Sequence, residues 1–147
     1  MPLHDPKHGH QNDMLTAATI DIPGLVARLA EFKPMVVYLF GSAVTGRLVA
    51  SSDVDIAFLP RRPCDPMAVF DAAQQLASDL GRNVDLIDLS RASAVFRAQV
   101  LGTGTAVHVA DHQKRDEFEM YVLSDYARTN EERREVLNAY LGSRHAG

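Results

Sequence analysis

The chain has 147 residues, enough to bury a core and short enough for one domain. Hydrophobic residues make up 46% and charged residues 23%, which excludes a disordered or collagen-like chain. The net charge of −4 speaks against direct nucleic-acid binding, and no apolar run nears the roughly 20 residues of a membrane helix.

Residues 1–15 are polar and carry Pro2, Pro6, His4, His8 and His10, so a flexible N-terminus is expected there. Met1 to Met14 has no apolar stretch of the signal-peptide kind. With the single cysteine, Cys64, this points to the cytoplasm, since one thiol cannot close an internal disulfide. Residues 16–147 read as a single domain. Asp21 and Pro23 open a helix with Leu25, Val26, Leu29, Ala30 and Phe32 at helical spacing, stopped by Pro34. Met35 to Phe40 is a continuous apolar run of β-branched and aromatic residues, the pattern of a buried strand, and Gly41-Ser42 ends it.

Asp53 to Leu59 predicts a second strand, with Asp53, Asp55, Ala57 and Leu59 on one face and Val54, Ile56 and Phe58 on the other. Pro60 to Pro66 is a loop. Met67, Phe70, Ala73, Leu76, Ala77 and Leu80 mark a helix that stops at Gly81. Asn83 to Leu89 predicts a third strand, and Ser90 is in place to cap a helix to about Leu101. After Gly102 and Gly104, Ala106 to Ala110 predicts a short strand. Asp111 to Leu141 is helical, with a restart expected at the capping-box pattern of Thr129 to Glu132. The order predicts an α+β domain: a small mixed β-sheet flanked by helices, with a long C-terminal helical region.

The chemistry lies in Gly41-Ser42, a gap of ten residues, and Asp53-Val54-Asp55. Carboxylates at i and i+2 of a strand share a face, with α-carbons roughly 6.5–7 Å apart. They can hold a pair of hard cations such as Mg²⁺, whose remaining ligands come from water and substrate phosphates. Gly41 lets backbone approach a phosphate, and Ser42 can cap a following helix whose free N–H groups face an anion. A third carboxylate should come from the Val84-to-Leu89 strand, where Asp85 and Asp88 face opposite ways. Asp85 sits inside the apolar stretch, where an unpaired carboxylate is costly. Asp88 is near the strand end, in reach of the next helix cap. Cys64 has no base neighbour in sequence. His108 and His112, four apart, straddle a strand-to-helix junction, a poor frame for a metal. The aromatic set of Phe118, Tyr121 and Tyr126 fits core packing, and the long C-terminal helix has more apolar surface than a small sheet covers.

At Gly41-Ser42, Ser52-Asp53-Val54-Asp55-Ile56 and Val84 to Leu89 the chain resembles the DNA polymerase β-like nucleotidyltransferase superfamily. More narrowly it resembles the minimal nucleotidyltransferase (MNT) antitoxins paired with HEPN toxins. The resemblance spans about Val36 to Val109. It implies the polymerase β-like nucleotidyltransferase fold, two Mg²⁺ ions and ATP as the substrate. It implies that Gly41 and Ser42 hold the triphosphate, that Asp53 and Asp55 bind the metals, and that Asp85 completes the triad and helps deprotonate the acceptor hydroxyl. Family members often read Gly-Ser-x-Ala-Arg-Gly; here Val44-Thr45-Gly46 stands in the last three places, and Arg47 is the nearby candidate phosphate contact. The implied activity is AMP transfer to a hydroxyl, a tyrosine, of a partner HEPN toxin in a hetero-oligomer. Two other readings fit the residues: a small-molecule nucleotidyltransferase acting on an antibiotic-like alcohol, and a non-catalytic antitoxin that works by contact.

Overall fold

A computed structural model describes residues 14–15, 20–41, 48–49 and 53–146. The elements are β1 (Met14–Leu15), α1 (Ile22–Arg28), β2 (Val36–Phe40), β3 (Leu48–Val49), β4 (Val54–Leu59), α2 (Pro66–Leu80), β5 (Val84–Asp88), α3 (Ala94–Thr103), β6 (Thr105–Val109) and α4 (His112–Ala146). Four strands form a mixed sheet in the order β5-β4-β2-β6. β4 runs parallel to β5, whereas β2 is antiparallel to both β4 and β6. β1 and β3 form a separate two-stranded antiparallel pair that the sequence pattern did not predict, because two-residue strands carry no periodicity.

The alternation in β4 sorts its side chains as expected. Val54, Ile56 and Phe58 join Val37 and Leu39 of β2 against Leu25, Leu29, Ala72 and Leu76 of the α1–α2 side. Ala57 and Leu59 join Val36 and Tyr38 against Val100 and Phe118 of the α3–α4 side. Helices thus cover both faces, so every β4 residue is buried except one, the half-buried Asp55. The Tyr38 hydroxyl donates to Glu119 Oε2 at 2.7 Å and ties the sheet to α4. Burial, and then the Glu119 carboxylate, push that phenol well above its ordinary pKa.

The local signals place most boundaries. Asp21 accepts from the Gly24 amide and caps α1. That helix ends at Arg28, earlier than the apolar spacing suggests. A 3₁₀ turn over Ala30–Phe32 carries on the apolar face, and Lys33 then takes a left-handed conformation at φ 48°. Pro66, assigned to the loop from sequence, is instead the first residue of α2, because Asp65 caps that helix and proline suits its first turn. Ser90 does not cap α3. It lies in a 3₁₀ turn over Leu89–Arg91, and Ser93 caps the helix by accepting from the Phe96 amide. The restart expected near Thr129 is absent, and α4 runs unbroken for 35 residues. No proline or glycine interrupts residues 112–141, so the ladder outcompetes the capping box. No described helix is long and apolar enough to cross a membrane.

Candidate active site

β2 and β4 bring the two halves of the sequence motif together. The antiparallel register sets Phe40 opposite Asp55, so Gly41 follows directly beside that carboxylate. Gly41 has φ +70°, a left-handed conformation that glycine adopts at no steric cost. A Cβ at this position would collide with Asp55 Oδ2. Glycine is therefore favoured here by conformation, and any side chain would also displace the Asp55 carboxylate. Ser42, Thr45, Gly46 and Arg47 lie outside the described residues, so the phosphate contacts assigned to Ser42 and Arg47 are not described.

The parallel register sets Asp55 opposite Asp85, so both side chains leave the sheet on the same side. Asp53 precedes β4 on that face and is exposed. The three carboxylates act on one another electrostatically. The Asp55 pKa is pushed up to about 6, first by burial, then by the Asp85 charge and a hydrogen bond with Asp85, and last by the Asp53 charge. Such a carboxylate holds its proton up to about pH 6, and nearby positive charge lowers that point. Among the described residues, no three acidic, histidine or cysteine side chains stand close enough to enclose a metal as they are. The cluster is thus an open set of oxygen donors that repel one another. That donor set fits a hard divalent cation, which takes waters and substrate oxygens to complete its shell.

Asp85 is exposed, not immersed in apolar surroundings as its sequence context suggested. β5 is an edge strand, and its carboxylate leaves the sheet beside solvent. Burial therefore imposes no cost at Asp85; what marks this carboxylate is its nearness to Asp55. Asp88 is the buried one, with its side chain only 6% exposed. Its Oδ1 accepts from the Ser90 amide at 2.9 Å and the Ser90 hydroxyl at 2.6 Å, which makes it the cap of the 3₁₀ turn. The two aspartates of this strand thus divide as the alternation indicates, one toward the cluster and one into structure.

The other candidates disperse. Cys64 follows β4 at the far end of the sheet, beside a cavity of about 340 Å³ that also meets Lys33 and Arg61. Burial pushes its thiol up, away from the reactive thiolate. His108 lies on β6 and His112 opens α4, so their spacing in sequence reflects no shared helix face. Nothing from α3 was assigned to the site from sequence. The structure brings Phe96, Gln99 and Thr103 of α3 to a cavity shared with Gly41 and Asp55. Their i, i+3, i+7 spacing marks one helix face, but only the packing of α3 on β2 aims that face at the carboxylates.

The profile of the family described as "Polymerase beta, Nucleotidyltransferase" matches residues 26–113. The chain belongs to the polymerase β nucleotidyltransferase family. The matched span holds Gly41, the three clustered carboxylates and every strand of the four-stranded sheet. The protein adenylyltransferase MntA of Shewanella oneidensis is 34% identical over 111 residues, which are 76% of this chain and 79% of that protein. A solved toxin–antitoxin complex with AMP-PNP contains a chain with a TM-score of 0.74 and 31% identity, covering 83% of this chain and 99% of its own. A second solved structure holds a tri-AMPylated Shewanella oneidensis HEPN toxin with its MNT antitoxin; the match has a TM-score of 0.66 and 30% identity, covering 81% of this chain and 94% of that one. This nucleotidyltransferase therefore shares its mixed sheet and long C-terminal helix with chains from toxin–antitoxin complexes.

Proposed function

We propose that this nucleotidyltransferase is an antitoxin that moves AMP from ATP, with Mg²⁺, to a tyrosine hydroxyl of a HEPN-type toxin and silences it. The observation that carries the reading is the pairing of Asp55 with Asp85 beside the left-handed Gly41, with Asp53 preceding them on the same face, inside the span that the family matches. MntA, a relative alike over most of its length, is a protein adenylyltransferase, and a matched antitoxin was solved with an AMPylated HEPN toxin.

Asp53, Asp55 and Asp85 would hold two Mg²⁺ ions. When bound, the ions neutralise phosphate charge and polarise the α-phosphorus toward attack. The chain's own residues do the rest. Gly41 brings backbone close to the triphosphate, with Ser42 and Arg47 as further contacts. Asp85 accepts the proton of the incoming hydroxyl. The acceptor oxygen bonds to the α-phosphorus, the bond from that phosphorus to its bridging oxygen breaks, and pyrophosphate leaves. Asp55, hydrogen-bonded to Asp85 and pushed up to about 6, ionises more readily when positive charge arrives, so the site favours assembly with its substrate.

The acceptor must arrive on another macromolecule. The stripe of Val136, Leu137, Tyr140 and Leu141 on α4 lies beyond the sheet and is 43–71% exposed, and it offers a docking face for that partner. A new phosphodiester on the toxin's tyrosine adds negative charge and bulk, both of which oppose RNA entering a cleft. Co-expression with the toxin followed by intact-mass measurement tests the reading. Mass increments of AMP on the toxin, lost with Asp53→Asn, are expected. A toxin that is neutralised yet unmodified favours silencing by contact, and AMP found on a small alcohol favours a small-molecule transferase.

A further inference from the structure

Two cavities flank the carboxylates. One, of about 540 Å³, runs between α2 and β5, with Asp53 and Asp85 at its mouth and Phe70 and Gln74 along its wall. The other, of about 280 Å³, opens on the α3 side, where Gly41 and Asp55 meet Phe96 and Gln99. This smaller space has an apolar floor held by an edge-to-face contact between Phe40 and Phe96, with ring centroids 5.6 Å apart at 82°. Its rim is polar. The Thr103 hydroxyl is turned back onto the Gln99 carbonyl at 2.8 Å, and the exposed Gln99 carboxamide stands beside it.

We propose that the smaller cavity takes the adenine of the nucleotide and that Gln99 reads the edge of the base. The inference rests on the donor reading above and adds to it the residue that senses the base. Gly41, the close-approach point for phosphate, walls the smaller cavity together with Asp55, so the nucleotide's own atoms begin there. A flat base suits an aromatic floor, since base–aromatic packing is favourable and tolerant of sequence. A glutamine side chain presents one acceptor and one donor in a plane, which matches the amino group of adenine and its neighbouring ring nitrogen. An amide can turn over to meet guanine, so Gln99 supplies base contact and not strict exclusion. A glutamate in its place has acceptors only. It would lose the adenine ring nitrogen and gain the two adjacent donors of guanine.

The test is calorimetric titration of the full chain, in magnesium, with ATP, GTP and inorganic tripolyphosphate. Gln99→Leu should weaken ATP by roughly tenfold and leave tripolyphosphate unchanged. Gln99→Glu should lower the ratio of ATP to GTP affinity by roughly tenfold or more. Unchanged tripolyphosphate binding also shows that the variants fold. ATP affinity that both variants leave intact overturns the inference alone, as does an equal loss of all three ligands. A variant that keeps ATP affinity but raises the KM for the acceptor also overturns it, by giving the cavity to the acceptor. A wild-type chain that binds no triphosphate overturns the donor reading and this one with it.

Discussion

Asp55 and Asp85 stand opposite each other across the parallel β4–β5 ladder, hydrogen-bonded, with Asp55 pushed up to about 6. Among the described residues, what shifts Asp55 is burial and two further carboxylates. A fold keeps such a cluster at a cost in stability, and that cost can be measured.

The folded chain protonates Asp55 more readily than the unfolded chain, whose value is near 3.8. Stability therefore falls as pH rises through the window from about 4 to about 6, where only the folded state still binds the proton. Asp55→Asn has no proton to lose. Its melting temperature should exceed that of the wild type at about pH 8 and match it at about pH 3. Thermal melts across that range check the sign; a variant less stable at high pH would place Asp55 in an environment other than the one described. Mg²⁺ should close the gap by stabilising the wild type more than the variant.

Asp85→Asn should reduce transfer by about a thousandfold or more, because it removes a cation ligand and the proton acceptor together. Asp88→Asn should retain most activity, since asparagine keeps the oxygen that accepts from Ser90. Asp88→Ala should instead cost about 0.5–2 kcal/mol of stability by removing the acceptor that caps the 3₁₀ turn. Denaturant melts with single-turnover rates separate the two residues. The reverse ranking would mean that the site uses the other face of β5.

Gly41→Ala meets both reasons for glycine. The left-handed φ costs about 1–2 kcal/mol for an L-residue, and the added methyl presses on Asp55 Oδ2. Stability should fall by at least that conformational amount, and transfer should fall further than stability explains, because the displaced carboxylate belongs to the cluster. Gly81→Ala is the control. Gly81 also has a positive φ, but a Cβ there meets nothing within 4 Å. It should lose stability and keep activity.

Leu137 and Tyr140 are more than half exposed on α4, so Leu137→Glu with Tyr140→Glu should change chain stability by only about 0.5 kcal/mol for each residue. Affinity for the toxin should drop by at least tenfold, with ATP affinity unchanged. Titration of the toxin against both forms of the full chain gives the answer. Undiminished toxin binding would assign docking to another face.

Much of this protein is legible before any coordinates. The apolar run of β2, the alternation in β4 and β5, and the Asp21 and Gly81 caps are local signals, because strand faces and helix ends are set within a few residues. The Asp-x-Asp pair is visible for the same reason, as is the opposite facing of Asp85 and Asp88. Other features depend on partners distant in the chain. The register that sets Asp55 against Asp85 joins segments thirty residues apart, and alternation alone does not fix which residues face each other across two strands. The exposure of Asp85 follows from β5 being an edge strand, a property of sheet order. The β1–β3 pair and the arrival of Gln99 beside Gly41 were likewise decided by packing, where long-range contacts outweigh local preference.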